Sequence, residues 1–287
     1  LRRALVVATA PQAALAARVA GLLGAATAGV FAEAAMHTPV EVTDRALDEF
    51  RRRNADGVVA AGGGSAVGLG KALSVRTGLP LLCLPTTYAG SEMTPILGET
   101  AGAEKRTRRD PRILPATVIY DPDLTATLPP GMAAASGMNA LAHALEALYA
   151  PDCSPIVALM AEEAVAALAH ALPRVVDSAA QDAAPRGEAL YGAWLCGACL
   201  GQTTMGLHHK LCHVLGGSFG LPHAETHAVV LPHVAAFNEV AAPTAMARVA
   251  AALGAPTASA GLWQLGAALP LPRSLAELGL AEADLDR

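Results

Sequence analysis

Short apolar runs alternate with helical segments through the first 128 residues, and then the runs stop. This change of pattern constrains the fold more than any other property of the chain. Residues 4–9 (ALVVAT) read as a buried strand, and residues 11–23 as a helix with proline in its first turn. Residues 29–34 form a second candidate strand, and residues 43–54 (TDRALDEFRRRN) an amphipathic helix capped by Thr43. A third strand, 57–61, runs into Gly62-Gly63-Gly64-Ser65 and a helix to about Thr77; further strands are expected at 79–84 and 117–120. Strand-length apolar runs separated by helices predict a parallel sheet. Beyond Leu128-Pro129-Pro130, residues 137–150, 156–176 and 186–203 all carry helical periodicity. The expected architecture is an α/β domain over 1–131 and an all-helical domain over 132–287, with a site in the cleft between them.

Composition narrows the function classes. The 287 residues leave room for two domains with sizeable cores. Net charge is −5 and no basic face is implied, so nucleic acid is not an expected partner. No apolar run approaches the ~20 residues needed to cross a bilayer, and no membrane association is expected. The one basic run, residues 104–112 (EKRTRRDPR), reads as a solvated loop or as a lure for an anionic substrate. Five cysteines stand at 83, 153, 196, 199 and 212. Cys196 and Cys199 form a C-x-x-C within a helix, with no second pair and no βαβ context, so buried free thiols are favoured over a redox or zinc motif. No signal peptide is visible, which fits a reducing cytoplasm. The chain opens on Leu1 and closes in LAEADLDR, and both ends are expected to be incomplete.

Two segments carry chemistry. In VVAAGGGSAVGLGKAL a strand, a glycine turn and a helix follow one another. Glycines let the backbone approach a phosphate, and a helix N-terminus offers free N–H groups. The spacing is neither the dinucleotide fingerprint, since Val67 stands at the third glycine, nor a Walker A loop. A second polar loop, Pro85 to Glu92, follows the next strand, which strengthens the case for a nucleotide crevice. Gly62, Gly63, Gly64, Ser65, Thr86, Thr87 and Ser91 are the candidate cofactor contacts. The second segment, residues 207–223 (LHHKLCHVLGGSFGLPH), holds His208, His209, His213 and His223, with His227 close behind. His209 and His213 share a helix face. Gly216-Gly217 is expected to stop that helix, and Pro222-His223 to return a further imidazole to the same point. Imidazole is a metal ligand and a proton donor near neutral pH. Asn139 and His143 share a face of another helix. Hydrogen-bonded core histidines remain the structural alternative.

GGGS at 62–65, PTTYAGSEMTP at 85–95, SGMNALAHALEALYA at 136–150 and HHKLCHVLGG…LPH at 208–223 resemble the iron-containing (group III) alcohol dehydrogenase superfamily. Within it, LYGAWL and LHHKLCHVLGG…LPHAETHA are similar to the maleylacetate reductases. The resemblance covers almost the whole chain and implies a dehydroquinate synthase-like fold, with a nucleotide-binding α/β domain and an all-α catalytic domain. The resemblance implies that the family's N-terminal strand segment and C-terminal helical stretch are missing here.

The superfamily holds a divalent metal with one Asp and three His, which fall here on Asn139, His143, His209 and His223. A neutral amide is a poor ligand beside a carboxylate, although three His could still bind zinc; the resemblance to the maleylacetate reductases, which carry this Asn and look metal-independent, implies that no metal is bound. His213 matches a histidine near the nicotinamide that is not a ligand, and Lys210 is a candidate carboxylate partner or an exposed helix residue. The implied reaction is reduction of the C=C bond of maleylacetate, or chlorinated analogues, to a 3-oxoadipate. NADH would be preferred and NADPH accepted, because Thr9 stands where relatives that exclude NADPH place an Asp. A cytoplasmic homodimer serving aromatic-compound degradation is implied. The alternatives are a metal-dependent alcohol dehydrogenase of the same fold, a glycerol dehydrogenase or dehydroquinate synthase relative, and a nucleotide-binding subunit without catalysis.

Overall fold

The computed structural model describes residues 1–102, 104–177 and 182–284. The chain divides into two compact units, Leu1–Thr87 with Ser91–Thr125, and Tyr88–Gly90 with Ala126–Arg287.

The first unit is built on β1 (Ala4–Val7), α1 (Ala13–Leu23), β2 (Thr27–Phe31), α2 (Val40–Arg52), β3 (Gly57–Gly62), α3 (Gly64–Thr77), β4 (Leu81–Pro85), the hairpin β5 (Ile96–Ala101) and β6 (Glu104–Arg109), and the short β7 (Thr117–Val118). Five strands form a parallel sheet in the order β2-β1-β3-β4-β7. β1 and β3 are buried at every position because helices cover both faces, which is why their sequences read as unbroken apolar runs. The alternation within β1 sorts its side chains. Leu5 and Val7 pack with Leu47 and Phe50 of α2 and Leu73 of α3, whereas Ala4 and Val6 pack with Ala16 and Val19 of α1. Strand order reverses between β1 and β3, so their carboxyl ends flank a topological switch point, the usual place for a nucleotide in such sheets.

The second unit contains α4 (Pro130–Tyr149), α5 (Pro155–Asp177), α6 (Ala183–Gln202), α7 (Leu207–Phe219), α8 (His223–Ala241), α9 (Pro243–Ala252) and α10 (Ala258–Ala267). α4 is its central element, buried from Ala133 to Leu148 and packed against α5, α6 and α8. Small residues permit that density. A Cβ on Gly137 would fall 2.4 Å from Leu172, and one on Gly192 would fall 2.8 Å from Leu168. Tyr88–Gly90 is held here by a Tyr88 N–H donated to Ser136 Oγ at 3.3 Å and by Gly90, which has φ +73 and lies against the backbone of Ala193 and Gly197.

Four expectations need correction. Gly216-Gly217 does not stop α7; the helix continues to Phe219 and ends at Gly220, whose φ of +66 is the left-handed cap. Interior glycine costs only about 1 kcal/mol, which packing can offset. Thr43 is not an N-cap. α2 starts at Val40 after Pro39, and the buried Thr43 hydroxyl donates back to the Pro39 carbonyl. Residues 104–109 are not loop but the strand β6, paired antiparallel with β5 through a turn at Gly102, φ +58. Asp110 takes up Arg108 and Arg112. Finally, α5 is long and apolar enough by length and composition to cross a bilayer, contrary to the expectation that no such run exists. It carries Glu162, Glu163 and Arg174 and packs its apolar side against α4 and α6, as a core helix does.

Candidate active site

In the first unit, parallel pairing of β3 with β4 sets the two polar loops side by side. The Thr86 N–H donates to the Gly62 carbonyl, and Gln12 Nε2 donates to Thr86 Oγ1 at 2.8 Å. Gly62 has φ +152, and a Cβ there would strike Gln12 and Ala66, so glycine is required. A Cβ on Gly63 would meet Thr87 at 2.7 Å. A Cβ on Gly64, at the first turn of α3, would meet nothing within 4 Å. The glycine loop therefore borders open space at a helix N-terminus, as a pyrophosphate needs. The Thr9 hydroxyl donates to Gln12 Oε1 at 3.3 Å. Lys71, buried in α3, donates to the Ser91 carbonyl, the Thr94 hydroxyl and the Ile96 carbonyl, while the Ser91 hydroxyl has no partner. Gly64→Val should therefore fold with unchanged thermal stability and raise the KM for NADH at least tenfold with little effect on that for the acid. Equal effects on both KM values would count against a pyrophosphate at this loop.

In the second unit, α4, α7 and α8 bring the histidines together. His143 Nδ1 and His209 Nε2 stand 2.8 Å apart. The His213 ring lies 6.2 Å from that of His209 and 6.0 Å from that of His223. Asn139, His143 and His209 are buried, whereas His213, His223 and Lys210 are exposed. The Asn139 Oδ1 is buried without a hydrogen-bond partner.

Glu146, His208 and His227 complete the cluster. Glu146 is fully buried and accepts from His209 Nδ1 at 2.6 Å, Tyr149 Oη at 2.6 Å, and the backbone N–H groups of Gly206, His208 and His209. It thus neutralises the exposed N–H groups and positive end of α7 from another helix. Its carboxylate fixes the Nδ1–H tautomer of His209 and aims Nε2 at His143. His227, on α8, has its ring 4.4 Å from that of His223 and 4.9 Å from that of His209. Its Nδ1 lies 3.0 Å from His208 Nε2. Helical spacing was the available signal for two of them: Glu146 follows His143 by three residues and His227 follows His223 by four. Nothing in the sequence alone joins Glu146 to α7.

Burial opposes ionisation of Glu146, but the His209 hydrogen bond and charge, with Tyr149 and the His208 N–H, outweigh it and hold the carboxyl down at about 2. Burial, reinforced by the neighbouring imidazoles, pushes His143 and His227 well below the usual range and His208 to about 3. These rings are neutral at physiological pH, which is the ligand form of imidazole.

Residues 1–122 match the sequence profile of the iron-containing alcohol dehydrogenases, and residues 133–287 match that of the Fe-containing alcohol dehydrogenase family, C-terminal part. The chain belongs to the iron-containing alcohol dehydrogenase family. It is 54% identical over 284 residues to a maleylacetate reductase of Burkholderia cepacia, covering 99% of this chain and 80% of that protein. The crystal structure of maleylacetate reductase from Rhizobium sp. strain MTP-10005 superposes with a TM-score of 0.96 at 55% identity, covering 100% of this chain and 81% of that one. An iron-containing alcohol dehydrogenase from Corynebacterium glutamicum superposes with a TM-score of 0.93 at 43% identity, covering 98% and 78%.

Membership of this iron-containing family overturns the expectation that no metal is bound. The residues themselves fit a divalent transition metal. His143, His209 and His223 would supply imidazole nitrogens, the unpartnered Asn139 Oδ1 an oxygen, and Glu146 the carboxylate behind a ligand that such sites commonly carry. The Asn139 substitution removes one negative charge from the site without removing an oxygen donor. The described residues also include a buried group, His208, Cys212 and His227, whose ligand atoms all lie within 4.8 Å of one another.

Proposed function

We infer that this chain reduces the C=C bond of maleylacetate with a nicotinamide cofactor, forming 3-oxoadipate. The observation that carries this reading is the 54% identity to a maleylacetate reductase, spread over 99% of the chain. The chemistry suits the donor set. Hydride adds to the alkene carbon β to the ketone, the electron pair moves into an enolate, and a proton is returned to the carbon α to the ketone. A metal held by His143, His209, His223 and the Asn139 oxygen would supply a Lewis acid at a substrate oxygen. The protein's own groups do the rest. Glu146 fixes His209, so that its Nε2 is held in one orientation toward the metal position. His213, exposed beside His223, gives the proton to carbon, and Lys210, exposed on the same helix, pairs with a substrate carboxylate; their exposure on α7 supports this reading.

Residues 1–131 then bind the nucleotide and 132–287 carry the chemistry. Thr9, uncharged at the end of β1, offers no repulsion to a 2′-phosphate, so NADH and NADPH both serve. A homodimer in the cytoplasm, degrading aromatic compounds and accepting chlorinated maleylacetates, completes the reading. The test is oxidation of NADH or NADPH on addition of freshly generated maleylacetate. Turnover with that acid and none with simple aldehydes is expected. Aldehyde reduction with no turnover of maleylacetate would instead favour an alcohol dehydrogenase.

A further inference from the structure

Behind the residues assigned above lies the group that the reaction leaves unused. His208 and Cys212 are one turn apart on α7, and His227 meets them from α8. All three are at most 1% exposed. His208 Nε2 is 3.0 Å from His227 Nδ1 and 3.7 Å from Cys212 Sγ. In a tetrahedral zinc site, bonds of about 2.0–2.1 Å to nitrogen and 2.3 Å to sulfur set neighbouring ligand atoms about 3.3–3.6 Å apart. Two of the three edges are therefore within a few tenths of an ångström of a metal-bound arrangement. The third, within 4.8 Å, is the one that must shorten.

The metal-free pairing is incomplete. One proton shared between His208 and His227 leaves the two outer nitrogens, His208 Nδ1 and His227 Nε2, as one donor and one acceptor, and both are buried without partners. A cation between the facing nitrogens replaces that proton and makes both outer nitrogens donors.

We propose that His208, Cys212 and His227 form a second metal site, separate from the one built on His143, His209 and His223 and selective for a soft divalent cation such as Zn2+. Two imidazoles and a thiolate are the donors such a cation favours, and no oxygen ligand is among them. The cation deprotonates Cys212, whose thiolate supplies one negative charge, and the Glu146 carboxylate, which accepts the His208 N–H at 2.7 Å, lowers the positive potential nearby. Val230, Val234 and Leu215 pack around Cys212 and exclude water from the sulfur.

Cobalt is the probe, because a thiolate ligand gives Co2+ a near-ultraviolet sulfur-to-metal charge-transfer band that nitrogen and oxygen ligands do not. Chelator-stripped protein titrated with Co2+ should develop that band to saturation at one cobalt per chain for this site. Cys212→Ser should abolish the band, and His143→Ala and Cys153→Ser should retain it. If Cys212→Ser fails to fold, His227→Gln keeps the thiol and should weaken the cobalt affinity at least about tenfold. Cobalt uptake without the band, a full band in Cys212→Ser, or unchanged affinity in His227→Gln would each overturn the site. None of these outcomes depends on the reductase reading, which the turnover assay tests separately.

Discussion

Glu146→Ala is expected to cost at least about 3 kcal/mol of stability, because each buried donor left unsatisfied costs about 1–3 kcal/mol. Every donor that the carboxylate accepts would be left unpaired in the interior: the His209 ring, the Tyr149 hydroxyl, and the N–H groups of Gly206, His208 and His209. Glu146→Gln keeps the volume but not the charge, and its amide presents an N–H where the site supplies only donors. Its kcat should fall about 10–100-fold, the usual cost of losing the group that orients a functional histidine, while the KM for NADH stays within about twofold. Acidity supplies a second readout. The Glu146 carboxyl is held at about 2 against an ordinary value of 4.5. Its contribution is therefore complete above pH 4.5 and is lost as the pH falls toward 2. Urea midpoints measured between pH 5 and 3 should fall more steeply for the wild type than for Glu146→Gln. A fully active, equally stable Glu146→Ala protein would show that the carboxylate neither holds α7 nor orients His209.

What the sequence revealed and what it hid follow from the same physics. β1 and β3 are legible because strands covered on both faces leave unbroken apolar runs, and the register of the sheet then sets both polar loops together. The β5–β6 hairpin is hidden because it buries little beyond Leu97. Its second strand is a row of charges with no apolar period. The start of α2 is hidden because Pro39, which reads as a breaker, is its N-cap. His143, His209, His213 and His223 stand out by type and spacing, and the fold brings them together. Glu146 has only its spacing, three residues after His143, and nothing in its type marks it. A glutamate on a helix otherwise rich in alanine and leucine reads as a solvated residue, and only the placement of the α7 N-terminus over it makes it a buried anion with five donors. Cys212 and His227 are obscure for the same reason, since contacts between helices are not written in the spacing along either one.

His213→Ala should lower kcat with maleylacetate by about 10²–10⁴-fold, the range that general acid–base catalysis contributes, and leave NADH affinity nearly unchanged. The geometry singles this residue out. His143 and His209 face each other at 2.8 Å, and Glu146 ties down the far side of His209. His213 is on the same helix face as His209 but is exposed, and it stacks on His223 with an interplanar angle of 22°. It can therefore exchange protons with solvent between turnovers, which the buried rings cannot do as readily. A loss confined to kcat, with the deuterium isotope effect from labelled NADH shrinking as protonation becomes slow, would mark His213 as the acid. His170, exposed on α5 and paired with Glu188, is the control, and His170→Ala should change kcat by less than about twofold. If His213→Ala keeps near-normal kcat while His209→Ala or His143→Ala abolishes it, the proton comes from the buried pair. If no single histidine change in the cluster moves kcat by more than about threefold, these rings are structural and the chemistry lies elsewhere.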